Sequence, residues 1–121
     1  MLELEFPANP TYVSLARLII SGLARQENFN EDDVYDVKLA SSEIATLLSE
    51  SGKLKNINMT CGKKDGQLFV GFKDNEGIDV HDLFEESLIT MESLEVLVDK
   101  FTIQQNGKGA SIQLFKQLPG K

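Results

Sequence analysis

Apolar residues recur with regular periods along the first half of the chain, and these periods predict its elements. Leu2, Leu4 and Phe6 alternate with glutamates, which predicts a strand with one solvent-facing side. Residues 11–26 follow a helical period, whose apolar stripe consists of Leu15, Leu18, Ile19, Gly22 and Leu23. Asn30 is a favourable N-cap, so a second helix is expected over about 31–51, with a stripe of Val34, Val37, Ser41, Ile44 and Leu48.

The second half of the chain predicts two hairpins with helices between them. Alternating apolar residues at 57–61, a KKDG turn and the segment QLFVGF form the first hairpin signal. A short helix is expected in IDVHDLFEES and a longer one over roughly 91–100, whose stripe is Leu94, Leu97, Val98 and Phe101. The chain closes with a hairpin that turns at Asn106-Gly107.

One side of the predicted strands is polar, as shown by Asn56, Asn58, Thr102, Gln104, Ser111 and Gln113. Helices are therefore expected to cover the opposite side. This pattern predicts the α+β class, in the form of a two-layer α/β sandwich with helices on one face of a mixed or antiparallel sheet. A length of 121 residues fits a single domain over 1–121.

The charge of the chain narrows the classes of partner. A formal charge of -7 disfavours nucleic acid and anionic membranes, because both attract basic surfaces, and it suits a protein partner better. The N-terminus has no signal-peptide pattern, and no apolar run approaches the roughly 20 residues that span a bilayer. The lone Cys61 alternates with Ile57 and Met59, so it is expected to be a buried thiol in a cytoplasmic protein.

The predicted order β-α-α-β-β-α-β-β resembles the Bergerat fold of the GHKL ATPases. Within that superfamily the chain is similar to the anti-sigma factor serine-protein kinases of bacteria, through the segments LEFPANPTYVSLARLIISGLA, DDVYDVKLASSEIAT and LEVLVDKFTIQQNGKGASIQLFK. The resemblance implies a regulator of transcription whose partners are a sigma factor and an anti-anti-sigma factor. It also implies that homodimers are usual, and that ATP and Mg²⁺ are the cofactors of an active member.

The chemical motifs of the resembled family are incomplete here. Its N-box pairs a glutamate general base with an asparagine four residues later that helps to hold Mg²⁺. Glu43 matches the glutamate, but Leu47 replaces the asparagine and offers no oxygen to a hard cation. The alternative interpretation of Glu43 is a solvated helix acid.

The other two motifs of the family are also altered. Its Asp-x-Gly-x-Gly box binds adenine through the aspartate; Asp74 is in place, but Glu76 and Ile78 stand at the glycine positions and Gly77 is offset by one. The same residues would also make a good turn. The last box, Gly-x-Gly-Leu, contributes backbone N–H groups to the phosphates. Here its positions hold Leu88, Ile89, Thr90 and Met91.

These losses are large enough to abolish nucleotide binding. Each hydrogen bond to a charged group contributes roughly 1.5–3 kcal/mol, so losing the metal ligand and two phosphate contacts removes about 4–9 kcal/mol. Micromolar binding corresponds to only about 8 kcal/mol. The resemblance therefore indicates a degenerate member, in which Glu43, Leu47, Asp74 and Gly77 mark a former nucleotide site and no residue is assigned to catalysis or metal binding.

Three functions remain open at this point. The first is a pseudo-ATPase regulator that works by protein contact, and the second is an active serine-protein kinase in which Glu43 is the base and Asp74 binds adenine. The third is a scaffold that shares only the architecture. For the first, the resemblance implies contact through the first helix, where the expected partner-binding residues are Tyr12, Arg17 and Arg25.

Two further groups have simpler explanations than a site. His81 lies beside Asp79 and Asp82, but Asp79 is better explained as a helix N-cap next to a solvated histidine. The acidic set is expected to be a solvent-facing helix surface, with docking of a basic partner as the alternative; its members are Glu85, Glu86, Glu92 and Glu95.

Overall fold

The structure, a computed structural model, describes residues 1–85, 87, 90–107 and 109–120. These residues form five strands and four helices in the order β1, α1, α2, β2, β3, α3, α4, β4, β5. The strands are Leu2–Pro7, Asn56–Lys64, Gln67–Asp74, Lys100–Asn106 and Gly109–Gln117, and the helices are Pro10–Gln26, Glu31–Glu50, Val80–Glu85 and Met91–Glu95. All the predicted strands and helices are present, and the segment between the two hairpins holds two helices, α3 and α4, where the predicted order β-α-α-β-β-α-β-β counts one. No described helix is long and apolar enough to cross a membrane.

The strands form one sheet in the order β1-β2-β3-β5-β4, and every neighbouring pair is antiparallel. Its register places Leu4 opposite Met59, Met59 opposite Phe72 and Phe72 opposite Ile112, all on the side that packs against the helices. Asn58, Lys73 and Ser111 form the neighbouring row on the other side. The two-layer α+β sandwich is confirmed, and the sheet is antiparallel.

Local signals set the ends of the two long helices. The Asn9 side chain accepts a hydrogen bond from the Thr11 N–H at 2.9 Å, and Pro10 occupies the first turn of α1. The Asn30 side chain accepts from the Asp33 N–H at 2.8 Å, which confirms it as the N-cap of α2. Three acids follow in the first turn of α2, where the helix dipole favours negative charge.

Most of the apolar stripe predicted for α1 does not pack into the core. Leu15 and Leu18 are 51% and 68% exposed. The buried side of the helix carries instead Val13, Ala16, Ile20, Ser21 and Ala24. In contrast, every residue of the predicted α2 stripe is buried. The helical period of α1 was therefore predicted correctly, but the predicted stripe is centred on the outward side, and within it only Ile19 and Leu23 pack partly against the core.

The helix expected over roughly 91–100 is shorter than predicted. α4 ends at Glu95, and Lys100 already belongs to β4. The Asp99 N–H donates to the Phe115 carbonyl at 2.9 Å, and the Asp99 carboxylate accepts from the Gln117 N–H at 2.6 Å. A turn at 96–98, in which the Leu97 N–H donates to the Leu94 carbonyl, ends the helix, and pairing with β5 begins at Asp99.

Candidate functional site

α2 carries the two N-box positions on neighbouring turns. Glu43 is half-buried, and its side chain makes no hydrogen bond or ion pair with any described residue. Leu47 is also half-buried and packs against the hydrophobic core. The next residue, Leu48, lines the same small cavity as Asp74, so the C-terminal half of α2 and the end of β3 meet at this place. The N-box therefore presents one carboxylate and one apolar side chain.

Both carboxylate oxygens of Asp74 accept hydrogen bonds from backbone N–H groups of the turn that follows it. One accepts a hydrogen bond from the Glu76 N–H at 2.8 Å, and the other accepts from the Ile78 N–H at 2.9 Å. The residue is only 6% exposed. A carboxylate buried in this way is satisfied locally, and it stabilises the turn that Gly77 completes at φ +87°.

Ile78 and Val80 fill the space beside Asp74. They are 2% and 1% exposed and belong to the main core. Together with Leu48 and Phe72 they line a cavity of about 10 Å³. A water molecule needs roughly 10–15 Å³ of such space, so an adenine ring cannot enter here without displacing Ile78.

Gln105 fastens this turn to the sheet. Its side-chain oxygen accepts a hydrogen bond from the Val80 N–H at 3.0 Å, and its amide donates to the Ile78 carbonyl. Gln105 lies opposite Ala110 on β5, on the helix-covered side of the sheet. One side chain thus satisfies two backbone groups of the segment that enters α3 and holds Ile78 inward.

The last motif of the resembled family falls partly outside the described residues. Leu88 and Ile89 lie outside them, whereas Thr90 caps α4. The Thr90 hydroxyl accepts from the Ser93 N–H at 3.1 Å, and the Thr90 N–H donates to the Ser93 hydroxyl at 3.3 Å. This capping box occupies the backbone donors that a phosphate-binding turn would offer at this position.

The other chemical candidates have structural roles. Asp79 caps α3, since its carboxylate accepts from the Asp82 N–H at 3.2 Å, and His81 is exposed. Cys61 is buried, and burial raises the pKa of its thiol, which lowers its reactivity. Within the described part of the chain, no three histidine, cysteine or acidic side chains cluster in a way that could hold a metal ion.

The three expected partner-binding residues lie on different sides of α1. Tyr12 is 39% exposed and Arg17 is exposed. Arg25 forms a two-point ion pair with Glu31, in which Nε and NH2 lie 3.1 and 2.9 Å from the two carboxylate oxygens. Arg25 lies seven residues after Leu18 and so faces the same way, whereas Arg17 is turned by about 100° from Leu18. Arg25 therefore links the end of α1 to the first turn of α2.

A larger surface was missed by the sequence analysis. The outward side of α1, which we call the outer face of α1, consists of the exposed residues Tyr12, Leu15, Leu18 and Gly22 and of the half-buried Ile19, which also packs against the core. A groove of about 270 Å³ runs beside it, between α1 and β1, and is lined by Leu4, Glu5, Phe6, Pro7, Tyr12, Leu15, Ala16 and Ile19. The signal for it was present: α1 has two apolar stripes, and a helix inside a two-layer sandwich buries only one.

Comparison with known proteins finds similarity to bacterial serine-protein kinases named RsbW. No protein-family model matches the chain. The serine-protein kinase RsbW of Bacillus licheniformis is 30% identical over 86 residues, which are 67% of this chain and 54% of that protein. RsbW of Listeria monocytogenes is 44% identical over 45 residues, which cover 37% of this chain and 29% of the relative. The chain thus spans about half the length of the first relative and a smaller part of the second.

A solved structure shows the same fold. The crystal structure of the RsbU and RsbW domains of a Mycobacterium tuberculosis protein matches with a TM-score of 0.74, over 98% of this chain and 33% of that chain, at 18% identity. The antiparallel sheet covered by helices on one side agrees with this match. The chain is therefore a homologue of the RsbW serine-protein kinases and has an RsbW-like fold of the GHKL type.

Proposed function

We propose that this chain is a regulatory protein-binding domain that acts by protein contact in a sigma-factor or partner-switching pathway, with its nucleotide site lost. The observation that carries the proposal is the closed end of the cleft, where Asp74 is satisfied by its own turn and Ile78 lies in the core. Similarity to RsbW proteins supports the class of pathway. The proposed partner is a sigma factor or an anti-anti-sigma factor in a bacterial cytoplasm, and the proposed domain is the whole of residues 1–121.

We place the proposed contact on the outer face of α1. Leu15 and Leu18 leave large apolar side chains in water, and Tyr12 adds an aromatic ring with a polar tip. Apolar and aromatic side chains of this kind form the buried centre of protein interfaces, with arginines often beside them. Arg17 and Arg25 therefore remain proposed partner-binding residues, although Arg25 must exchange Glu31 for a partner carboxylate.

Binding to purified partners tests the contact. Each purified sigma factor and anti-anti-sigma factor of the source organism is titrated in a calorimeter against the unmodified chain, the double variant Leu15→Ser/Leu18→Ser, and Arg17→Glu. Both changes should abolish binding while leaving the melting temperature within a degree or two, because the side chains are exposed. Glu43→Ala should leave binding intact. Loss of binding with Glu43→Ala but not with the α1 variants would move the functional surface to the former cleft.

Arg25 needs its own pair of variants because it already holds an ion pair. Arg25→Glu removes the guanidinium and places a carboxylate beside Glu31, whereas Glu31→Gln breaks the ion pair and keeps the arginine. If Arg25 contacts the partner, Arg25→Glu should weaken binding and Glu31→Gln should not. Equal weakening by both would mean that the ion pair only holds α1 and α2 in place.

The name of the relatives favours a second candidate function, an active ATP-dependent serine-protein kinase that acts on an anti-anti-sigma factor. In that case Glu43 would be the base, Asp74 would bind adenine, and ATP and Mg²⁺ would be required. Titration of Mg-ATP in a calorimeter separates the two functions. Saturable binding at micromolar nucleotide would support the kinase, whereas no heat up to about 1 mM, a free energy of about 4 kcal/mol, supports the regulator.

Self-association is part of the proposal, because homodimers are usual in the resembled family. Sedimentation velocity at about 10 and 100 µM protein measures it. A concentration-dependent shift to twice the monomer mass is expected, and a monomer at both concentrations would contradict this part alone.

A further inference from the structure

The side of the sheet that faces away from the helices carries an aromatic pair where the sequence predicted only polar residues. The Phe69 and Phe115 rings lie on the adjacent strands β3 and β5, with their centroids 5.2 Å apart and their planes at 52°. Phe69 is only 7% exposed, yet it is not part of the main core. Gly71 leaves room for its ring: a Cβ at that position would lie 2.7 Å from Phe69 Cζ. The Phe69 ring therefore lies along the sheet.

Two lysines lie over these rings. The Lys64 ammonium is 5.5 Å from the Phe69 ring centroid, and the Lys100 ammonium is 5.2 Å from that of Phe115. Lysine stems cover apolar surface while the charge stays in water, which accounts for the low exposure of Phe69. We call Lys64, Phe69, Lys100 and Phe115 the lysine–phenylalanine cluster.

The cluster holds positive charge that the described part of the chain does not neutralise. Neither Lys64 nor Lys100 forms an ion pair with a described residue, whereas Lys63 and Lys116 on the other side of the sheet pair with Glu27 and Asp33. The Asp99 carboxylate, next to Lys100 in the chain, accepts a hydrogen bond from the Gln117 N–H, keeps its charge, and forms no ion pair with Lys64 or Lys100. This local positive charge stands out in a chain whose formal charge is -7.

The same side of the sheet becomes acidic towards its other edge. Glu3 and Glu5 lie on β1, opposite Thr60 and Asn58, in rows that do not contain the phenylalanines. Glu3, the nearer glutamate, is one strand across and four residues along from Lys64, or about 14 Å at the usual strand spacing and rise, and Lys100 on β4 is farther away. That distance exceeds the Debye length of about 8 Å at physiological salt, so these glutamates do little to offset the lysines.

We propose that the lysine–phenylalanine cluster is a docking surface for an acidic peptide segment of a partner protein. Carboxylates would pair with the two free ammonium groups, and an apolar side chain would cover the exposed part of Phe115. An acidic segment is repelled by most of this chain, so attraction at one basic patch fixes where it binds. Nucleic acid is disfavoured by the overall charge and by the burial of Phe69, whose ring offers little area for a base to stack on. This surface lies on the side of the sheet opposite α1 and is separate from the contact proposed above.

The test uses the full chain and a labelled synthetic peptide of ten residues, eight glutamates and two phenylalanines. Fluorescence anisotropy at about 20 mM salt should show saturable binding that weakens at 150 mM salt. The same peptide with lysines in place of glutamates should not bind. Lys64→Gln/Lys100→Gln should weaken binding of the acidic peptide about tenfold, as expected for two modest ion pairs.

The control is Lys38→Gln/Lys53→Gln, which removes the same charge elsewhere. Lys38 is matched in chemistry, since its ammonium lies 5.3 Å from the Tyr35 ring on α2. This variant should change affinity less than twofold. Three outcomes would each overturn the proposal. The first is equal weakening by both double variants, and the second is no saturable binding by the unmodified chain. The third is tighter binding of a labelled ten-nucleotide thymidine strand through Lys64 and Lys100.

Discussion

The Asp74 end of the cleft, where we propose that the nucleotide site is lost, and the outer face of α1 differ in the burial of their apolar side chains. At the cleft, Ile78 is 2% exposed and stands where the resembled family has a glycine. On α1, Leu15 and Leu18 are more than half exposed although the helix has a complete buried side. Burial contributes about 25 cal/mol per Å² of apolar surface, so the first arrangement stabilises the fold and the second leaves surface that a partner could cover. The contrast supports the proposal that a partner protein binds the outer face of α1, and that the apolar packing at the Asp74 end of the cleft stabilises the fold.

The largest effect is expected from emptying the closed cleft. Ile78→Ala should lower the free energy of unfolding by about 2–5 kcal/mol, because it leaves a cavity in a packed core. Urea denaturation measures this, and the exposed Val96→Ala is the control, which should change it by less than about 0.5 kcal/mol. Gain of Mg-ATP affinity in Ile78→Ala would instead mean that an intact nucleotide site lies beneath the isoleucine.

The turn at Asp74 gives the next largest effect. Asp74→Asn replaces one accepting oxygen by an NH2 group that faces a backbone N–H, so the free energy of unfolding should fall by about 1–3 kcal/mol. The exposed neighbour Glu76 provides a control, since Glu76→Gln removes a carboxylate that makes no side-chain hydrogen bond among the described residues. If both substitutions have equally small effects, the Asp74 turn is not what holds the cleft closed.

Restoring the N-box tests whether the former site failed at one position or at several. Leu47→Asn should not recover Mg-nucleotide binding, because the Asp74 end remains closed. It should destabilise the domain by about 1–3 kcal/mol, since Leu47 packs against the core and an amide would lack a partner there. Calorimetry with Mg-ATP and a melting curve measure the two outcomes. ATP affinity in this single variant would contradict loss at several places.

The two sides of α1 can be compared directly. Leu18→Ala should change the free energy of unfolding by less than about 0.5 kcal/mol, whereas Ile20→Ala, two residues later and 1% exposed, should cost about 2–5 kcal/mol. Chemical denaturation of both variants at micromolar concentration gives the answer. A large loss for Leu18→Ala would show that its side chain already packs against something, for example a second copy.

The smallest effect is expected at the exposed ion pair beside the outer face of α1. The hydrogen bond and charge of Arg25 lower the pKa of Glu31 below its ordinary value. The stabilisation by this pair is therefore present at neutral pH and lost as pH falls through the lowered pKa. Glu31→Gln should slightly lower the melting temperature at pH 7, and the difference from the unmodified chain should vanish in acid and shrink at high salt. An unchanged difference at low pH would remove the ion pair as its cause.

The sequence by itself determined the class of fold and most element boundaries. Asn30 marked the start of α2, and Asp65-Gly66 marked a tight hairpin in which both residues have positive φ. Alternation placed Thr102 and Gln113 together on the side away from the helices, where their side chains are hydrogen bonded at 3.1 Å. These signals are local, because caps and turns depend on a few neighbouring residues and on backbone preference. The motif comparison likewise located Glu43, Leu47 and Asp74, but it did not reveal how they are used.

Only the tertiary structure decided which apolar stripe of α1 is buried, how Asp74 is satisfied and where α4 ends. α1 packs against α2, and its buried side carries the small residues Ala16 and Ala24, so a stripe of lower hydrophobicity lies inward while larger leucines stay outside. The hydrogen bonding of Asp74 depends on the path of the chain through Ile78. The side chain of Gln105, 27 residues from Ile78, holds that path in place by donating to the Ile78 carbonyl. Residues 96–99 could extend a helix, but β5 offers Asp99 a backbone partner in Phe115 and the chain turns towards it at 96–98. In each case the outcome depends on fit and hydrogen bonding between distant segments, which a periodic pattern along the chain does not encode.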